Sequence, residues 1–156
     1  MEQEYKVDVA GAEVIIAELL LDDFQAVVGL WAGVQGVRVL EANSLVKFSS
    51  YLARNPGLSS VARMDAEVIG AVLVGHDGLF GYLHHMAVDP LFRGKGVARK
   101  LVERSLGCLW ETGIQSCRLI VSEANPIGQP FWRSMGWKVR DDAKAMFIER
   151  GNEVIQ

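Results

Sequence analysis

Hydrophobic and polar positions along the chain follow two periods, and each change of period marks an element. EVIIAELL, Glu13 to Leu20, is rich in β-branched residues and predicts a first strand. In DDFQAVVGLWAGV the apolar residues Phe24, Val27, Val28 and Trp31 recur at helical spacing behind two acids, which suit the positive end of a helix dipole. NSLVKFSSYLARNPG predicts a second helix, with Asn43 or Ser44 as N-cap and Pro56-Gly57 as its stop. LSSVARM and EVIGAVLVG flank the short turn Asp65-Ala66 as a hairpin, and HDG turns the chain into GYLHHMAV, a third strand of the meander. Val97, Leu101, Ser105, Cys108 and Leu109 then share one face of a helix that Gly113 stops. SCRLIV reads as a strand buried on both faces, PFWRSMG as a short helix, and WKV with KAMFIER as a closing hairpin. The order β-α-α-β-β-β-α-β-α-β-β predicts an α/β (α+β) class: a mixed, mostly antiparallel twisted sheet with four flanking helices. Residues 1–12 form an N-terminal extension, and 13–156 form one domain without a linker or an internal repeat.

Composition narrows the function classes. A chain of 156 residues suits one domain with a real core, and 50% hydrophobic with 22% charged residues is an ordinary globular balance. The net charge of −3 argues against general nucleic-acid binding, so an anion site has to be built locally. Cys108 and Cys117 match no metal or redox spacing and read as small core hydrophobes in a reducing compartment. No run approaches the roughly 18 apolar residues of a membrane span, and the start of the chain lacks the features of a signal peptide. The expected location is the cytoplasm, with no membrane partner and no metal.

One stretch departs from the acidic balance. DPLFRGKGVARKLVERSL carries Arg93, Lys95, Arg99 and Lys100 around Gly94 and Gly96, with no acid between Pro90 and Val102. A glycine turn feeding a helix is suited to phosphate: the first N–H groups of the helix lack internal partners, and glycine lets a ligand approach the backbone. A nucleoside-triphosphate loop needs Gly-Lys-Ser/Thr, whereas Val97 follows Gly96; a dinucleotide fingerprint would need glycine at Arg99.

The pattern Arg-x-x-Gly-x-Ala, at Arg93, Gly96 and Ala98, resembles the pyrophosphate loop of the GNAT superfamily of acyl-CoA-dependent N-acetyltransferases. HHMAVDPLFRGKG before it resembles the superfamily's fourth strand, and VSEANPIGQPFWRSMGWKV after it resembles the fifth strand, its terminal Asn and the short helix that follows. The likeness runs from about Leu58 to Val139. It implies transfer of acetyl from acetyl-CoA to a primary amine of a small molecule or peptide, the alternative being a catalytically weak acyl-CoA sensor or regulatory domain. The assembly left open to it is a homodimer. It also implies that the fourth and fifth strands splay at a bulge to admit the pantetheine arm. Backbone groups of Met86, Ala87 and Val88 would bind that arm, and amides of Gly94, Lys95, Gly96, Val97 and Ala98 would hold the pyrophosphate, with charge from Arg93 and Arg99. Asn125 would touch the cofactor near the end of the fifth strand.

Two positions depart from the superfamily. Trp132 stands where many members carry a tyrosine that protonates the leaving thiolate, and an indole N–H cannot take that role near neutral pH. It is read as packing against the cofactor arm or the core. Ile120 stands where ribosomal-protein acetyltransferases carry a Glu, so that substrate class is not supported. An amine must lose a proton before attack, and histidine titrates in the right range. Counting back from Ala87-Val88, Tyr82 matches the Glu position of histone acetyltransferases. Arylalkylamine acetyltransferases are similar in placing His at the positions of both Tyr82 and His84. That register selects His84 as base with Tyr82 as its water-holding partner, and consecutive strand residues His84 and His85 should face opposite sides unless the bulge intervenes. The acceptor is expected near the first two helices, around Trp31, Val34 to Val39 and Phe48, with Asp22, Asp23 and Glu41 as acids that could attract an amine.

Overall fold

A computed structural model describes residues 5–33, 44–123 and 128–151. The chain divides into two compact units, Met1–Leu119 and Ile120–Gln156. The first unit holds a six-stranded sheet: β1 (Tyr5–Val9), β2 (Ala12–Glu18), β3 (Ser60–Met64), β4 (Glu67–His76), β5 (Gly81–Val88) and β6 (Cys117–Arg118). Neighbours in sequence are neighbours in the sheet, antiparallel until β6, which runs parallel to β5. Helices α1 (Phe24–Ala32) and α2 (Leu45–Arg54) lie between β2 and β3, and α3 (Val97–Glu111) is the crossover from β5 to β6. The second unit contains α4 (Gly128–Ser134).

The α/β class holds, and the element order differs at both ends. Residues 5–9, expected within an extension, pair with β2 from Tyr5↔Ile16 to Val9↔Ala12. Val9 is buried while Lys6 and Asp8 face solvent, so a two-residue period was present under the polar composition. The hairpin turns through Ala10 and Gly11 at positive φ, and Asp8 Oδ1 accepts the Gly11 N–H at 3.0 Å. At the other end, residues 137–150 carry no strand. Met146, Phe147 and Ile148 are exposed, and no described residue of that unit offers a strand edge against which they could form a ladder. SCRLIV contributes only the two-residue β6, half-buried at Cys117 and exposed at Arg118, rather than a strand covered on both faces, because it lies at the sheet edge among the described residues.

Alternation along β4 sends its side chains to two layers. Ala71 and Leu73 join Leu19, Val27, Trp31, Phe48, Val61 and Ala87 in the core under α1 and α2. Gly70 faces α3 instead, where an added Cβ would lie 3.0 Å from Leu101 and 3.4 Å from Val97. Trp31 and Phe48 are almost fully buried and meet edge-on at 6.3 Å. Burying side chains of this size contributes roughly 1.5–3 kcal/mol each. These two residues are therefore core; Val34 to Val39 and Glu41 lie outside the described residues. The two layers are tied down by polar contacts. Arg63 of β3 pairs with Asp23, whose other oxygen accepts the Leu20 N–H at 2.9 Å, so Asp23 is held by its own layer. On the α3 side Ser60 and Ser105 share a hydrogen bond of 2.6 Å, and Arg104 donates to the Ser59 carbonyl and the Ser60 hydroxyl at 3.3 and 3.0 Å.

Candidate functional site at the bulge of the fifth strand

The register between β4 and β5 slips at the centre of the sheet. Ala71 faces Ala87, but Leu73 faces His84, so two residues of β5, His85 and Met86, stand opposite Val72. This extra residue is a β-bulge, and its conformational signature is His85 at φ +53, the left-handed region that a non-glycine residue seldom enters. Strand β6 pairs only with Gly81 and Tyr82. Beyond Tyr82 no residue of β5 is registered on β6, so the β5 backbone from Leu83 to Val88 has no strand partner on that side among the described residues.

The bulge also redirects side chains. His84 shares the α1–α2 side with Leu73, and His85 turns to the same side, its ring 5.0 Å from that of Trp31. The expectation that these two histidines oppose each other across the sheet is overridden by the left-handed turn between them, and their rings sit 6.3 Å apart. Tyr82 and His84 do share a face as expected, stacked at 6.2 Å with an 11° tilt. Burial, and secondarily the charge of His85, lowers the pKa of His84 below that of a free imidazole, although part of its surface remains open. Its ring nitrogen is thus unprotonated at neutral pH and can accept a proton.

Two partners of the stacked pair Tyr82 and His84 were not legible from motif or spacing. Tyr51 of α2 meets it edge-on at 6.3 Å, and the Tyr82 hydroxyl donates to Asp77 Oδ2 at 3.3 Å. Asp77 is held by its own turn, accepting the N–H groups of Leu79 and Phe80 at 2.8 and 2.7 Å. Burial, and then the nearby Cys117, pushes the Tyr51 phenol far above its usual range, while burial lifts the Cys117 thiol to about 11. Neither group is a nucleophile or base near neutral pH. The only advance signal for Tyr51 was its place at helical spacing beside Phe48, which reads equally well as core.

The basic loop takes the form the sequence predicts. Gly94 and Gly96 have φ of +73 and +87, and Gly96 is the left-handed N-cap of α3 with no side-chain cap, so no capping side chain satisfies the first N–H groups of the helix. Val97 is buried, leaving its backbone as its contribution, and Ala98 is half-buried. Lys95 and Arg99 are exposed at the helix start. Arg93 folds back, its Nε donating to the Val88 carbonyl at 3.2 Å, which fastens the loop to the end of β5. Lys100 pairs with Glu103 at 3.2 Å. Met86 is half-buried, and Ala87 and Val88 are buried. In the second unit Trp132 is buried between Phe131 and Trp137, with centroid distances of 4.9 and 5.2 Å. Asn125 lies outside the described residues. Among the described residues no cluster of three or more His, Cys, Asp or Glu is arranged to hold a metal ion, and no helix is long and apolar enough to cross a membrane.

This geometry has counterparts. The model of the acetyltransferase (GNAT) family matches residues 16–137. An acetyltransferase of Pectobacterium atrosepticum is 34% identical over 104 residues, which cover 67% of this chain and 73% of the relative. The structure of Ard1 from Thermoplasma volcanium superposes with a TM-score of 0.72 at 20% identity, covering 81% of this chain and 84% of the other. The PaiA N-acetyltransferase of Thermoplasma acidophilum, in complex with coenzyme A, does so with a TM-score of 0.69 at 21% identity, covering 83% and 92%. A family match over most of the chain, on a fold with a bulged central strand and a glycine turn at the start of the crossover helix, leaves one assignment: the chain belongs to the GNAT family of acetyltransferases.

Proposed function

We propose that the protein transfers the acetyl group of acetyl-CoA to a primary amine of a small molecule or peptide by direct attack, with His84 as general base. Acetyl-CoA is the acetyl donor. The observation that carries this reading is the bulge in β5: one feature frees the backbone of Met86 to Val88 from pairing on the β6 side and puts an unprotonated imidazole one residue before it. The residues fit the donor. Its pantetheine arm lies along Met86, Ala87 and Val88 as an added strand, and its pyrophosphate meets the N–H groups of Gly94 to Ala98, with Lys95 and Arg99 supplying charge. Arg93 acts first by anchoring the loop. Asn125 and Trp132 are assigned to the cofactor side, Trp132 through packing. The complex of the Thermoplasma acidophilum neighbour with coenzyme A supports this assignment of the ligand.

The reaction follows from these positions. His84, with a water held by Tyr82, takes a proton from the ammonium form of the acceptor. The freed lone pair attacks the thioester carbonyl, forming the C–N bond, and backbone N–H groups at the bulge stabilise the oxyanion. Collapse breaks the C–S bond, the sulfur leaves with its electron pair, and the nitrogen gives its remaining excess proton to solvent, leaving a neutral amide. A thiol of pKa about 8.5 leaves readily as thiolate and is protonated from solvent, so Trp132 in place of a tyrosine does not block the step. The family match runs through both units, which supports reading 13–156 as one catalytic domain, and two free thiols accord with a cytoplasmic setting.

The test is to incubate the protein with acetyl-CoA and a panel of primary amines while following thiol release, with isothermal titration of CoA alongside. Amine-dependent release that His84→Ala suppresses is expected. Tight CoA binding without release for any amine would make the protein an acyl-CoA sensor instead.

A further inference from the structure

A pocket of about 450 Å³ opens between α2 and the end of β4. Lys47, Tyr51 and Arg54 enter it from α2 at i, i+4 and i+7, one face of the helix, and His76 and Asp77 line it from the end of β4 and the turn that follows. Its charged groups are two cations and one carboxylate. That carboxylate is already engaged, accepting from the backbone of Leu79 and Phe80 and from the Tyr82 hydroxyl. His76 Nδ1 accepts the Gly78 N–H at 3.0 Å, so in its neutral form the remaining ring nitrogen is a donor. Among the described residues no carboxylate pairs with Arg54, and the Tyr51 hydroxyl is buried without a hydrogen-bond partner. In a chain of net charge −3, this pocket holds a guanidinium, that of Arg54, for which no described carboxylate is the partner.

The pocket is also close to the chemistry. The Tyr51 ring separates it from His84, and Asp77 reaches His84 through the stacked Tyr82. We infer that this pocket is the acceptor's second subsite and holds an anionic group, a carboxylate or phosphate, carried a few bonds from the amine that is acetylated. The planar fork of Arg54 matches either anion, and Lys47 adds a point charge. This inference rests on the reading of His84 as the group that meets the amine.

Matched pairs test it: 5-aminopentanoate against pentylamine, and 4-aminobutyl phosphate against butylamine. Each is measured by kcat/KM with acetyl-CoA and by isothermal titration with CoA present. The wild-type protein should prefer the anionic member of at least one pair by tenfold or more, about 1.4 kcal/mol, and the pair that shows it identifies carboxylate or phosphate. Arg54→Gln should collapse that ratio toward one, and Arg54→Lys should restore part of it. No preference in the wild type, or a preference that survives in Arg54→Gln combined with Lys47→Gln, overturns the subsite. If no amine is acetylated, the catalytic reading falls by itself and the titration still decides the pocket. Tighter, Arg54-dependent binding of the anionic member upholds it; equal binding, or none, overturns it.

Discussion

The two ends of β5 solve different problems with different materials. At its C-terminal end the loop from Arg93 to Ala98 is built from backbone: two glycines at positive φ, an uncapped helix start, and side chains that anchor or stay exposed. At its N-terminal end, the end we propose meets the acceptor, the features come from side chains of separate elements, with Tyr51 from α2, Asp77 from a turn, and Tyr82 and His84 from β5. A phosphate is the same in every acyl-CoA, so a fixed set of N–H groups suffices. An acceptor differs from enzyme to enzyme, so its site has to be composed from residues free to vary. If this division is real, substitutions at one end should alter acetyl-CoA affinity and those at the other should alter turnover, with little crossover.

The largest effect should come from His84→Ala. Turnover is expected to fall by about 10²–10⁴-fold, with the KM for acetyl-CoA within about twofold. The pH profile adds an independent readout. A base must be unprotonated, and burial lowers the pKa of His84, so wild-type activity should be retained through neutrality and lost only as pH falls below the roughly 6.5 of a free imidazole. That acid limb should vanish in the variant. If it persists with the rate intact, another group is the base.

Next is Gly96→Glu, which places a carboxylate and a left-handed side chain at the helix start where φ is +87. CoA affinity should drop at least tenfold, about 1.4 kcal/mol, by titration, with the circular dichroism spectrum unchanged. Unaltered affinity in a folded variant would remove the phosphate-loop assignment and the comparison with it.

Gly75→Ala probes the same end without replacing a polar side chain. An added Cβ would lie 2.7 Å from both the Tyr51 hydroxyl and the Asn55 side chain, so α2 or its tyrosine has to move. Destabilisation of about 1–3 kcal/mol is expected from thermal melts, with turnover reduced severalfold and CoA affinity kept. A variant that loses CoA affinity in proportion to turnover would show that the two ends are mechanically coupled.

The smallest effect is Tyr82→Phe. It removes the hydroxyl that donates to Asp77 while leaving the ring stacked on His84. Turnover should fall about two- to fivefold, the scale of one modest hydrogen bond, without a change in CoA affinity. A hundredfold loss would mean that the hydroxyl itself moves the proton.

Much of this molecule is local, and what is local was legible in the amino-acid order. Ser44 caps α2 by accepting the Lys47 N–H at 3.3 Å, the Asp65-Ala66 turn joins β3 to β4, and Gly94 and Gly96 take up the positive φ that their lack of a Cβ permits. Each depends on a few consecutive residues and their own backbone preferences, so composition and spacing determine it. The strand at Tyr5–Val9 was written in the same alternation, but Lys6 and Asp8 gave it the composition of a tail until β2 supplied a partner edge. What only tertiary structure decided is where the bulge falls and which way the side chains around it point. Whether His84 and His85 point apart or to one side depends on where β5 slips against β4, and that register is set by strands packed between two helical layers rather than by any property of two adjacent histidines. The meeting of Tyr51 and Asp77 with the pair Tyr82 and His84 has the same origin: neither Tyr51 nor Asp77 stands out in the sequence, and only the packing of α2 and of the turn after β4 brings one to His84 and the other to Tyr82.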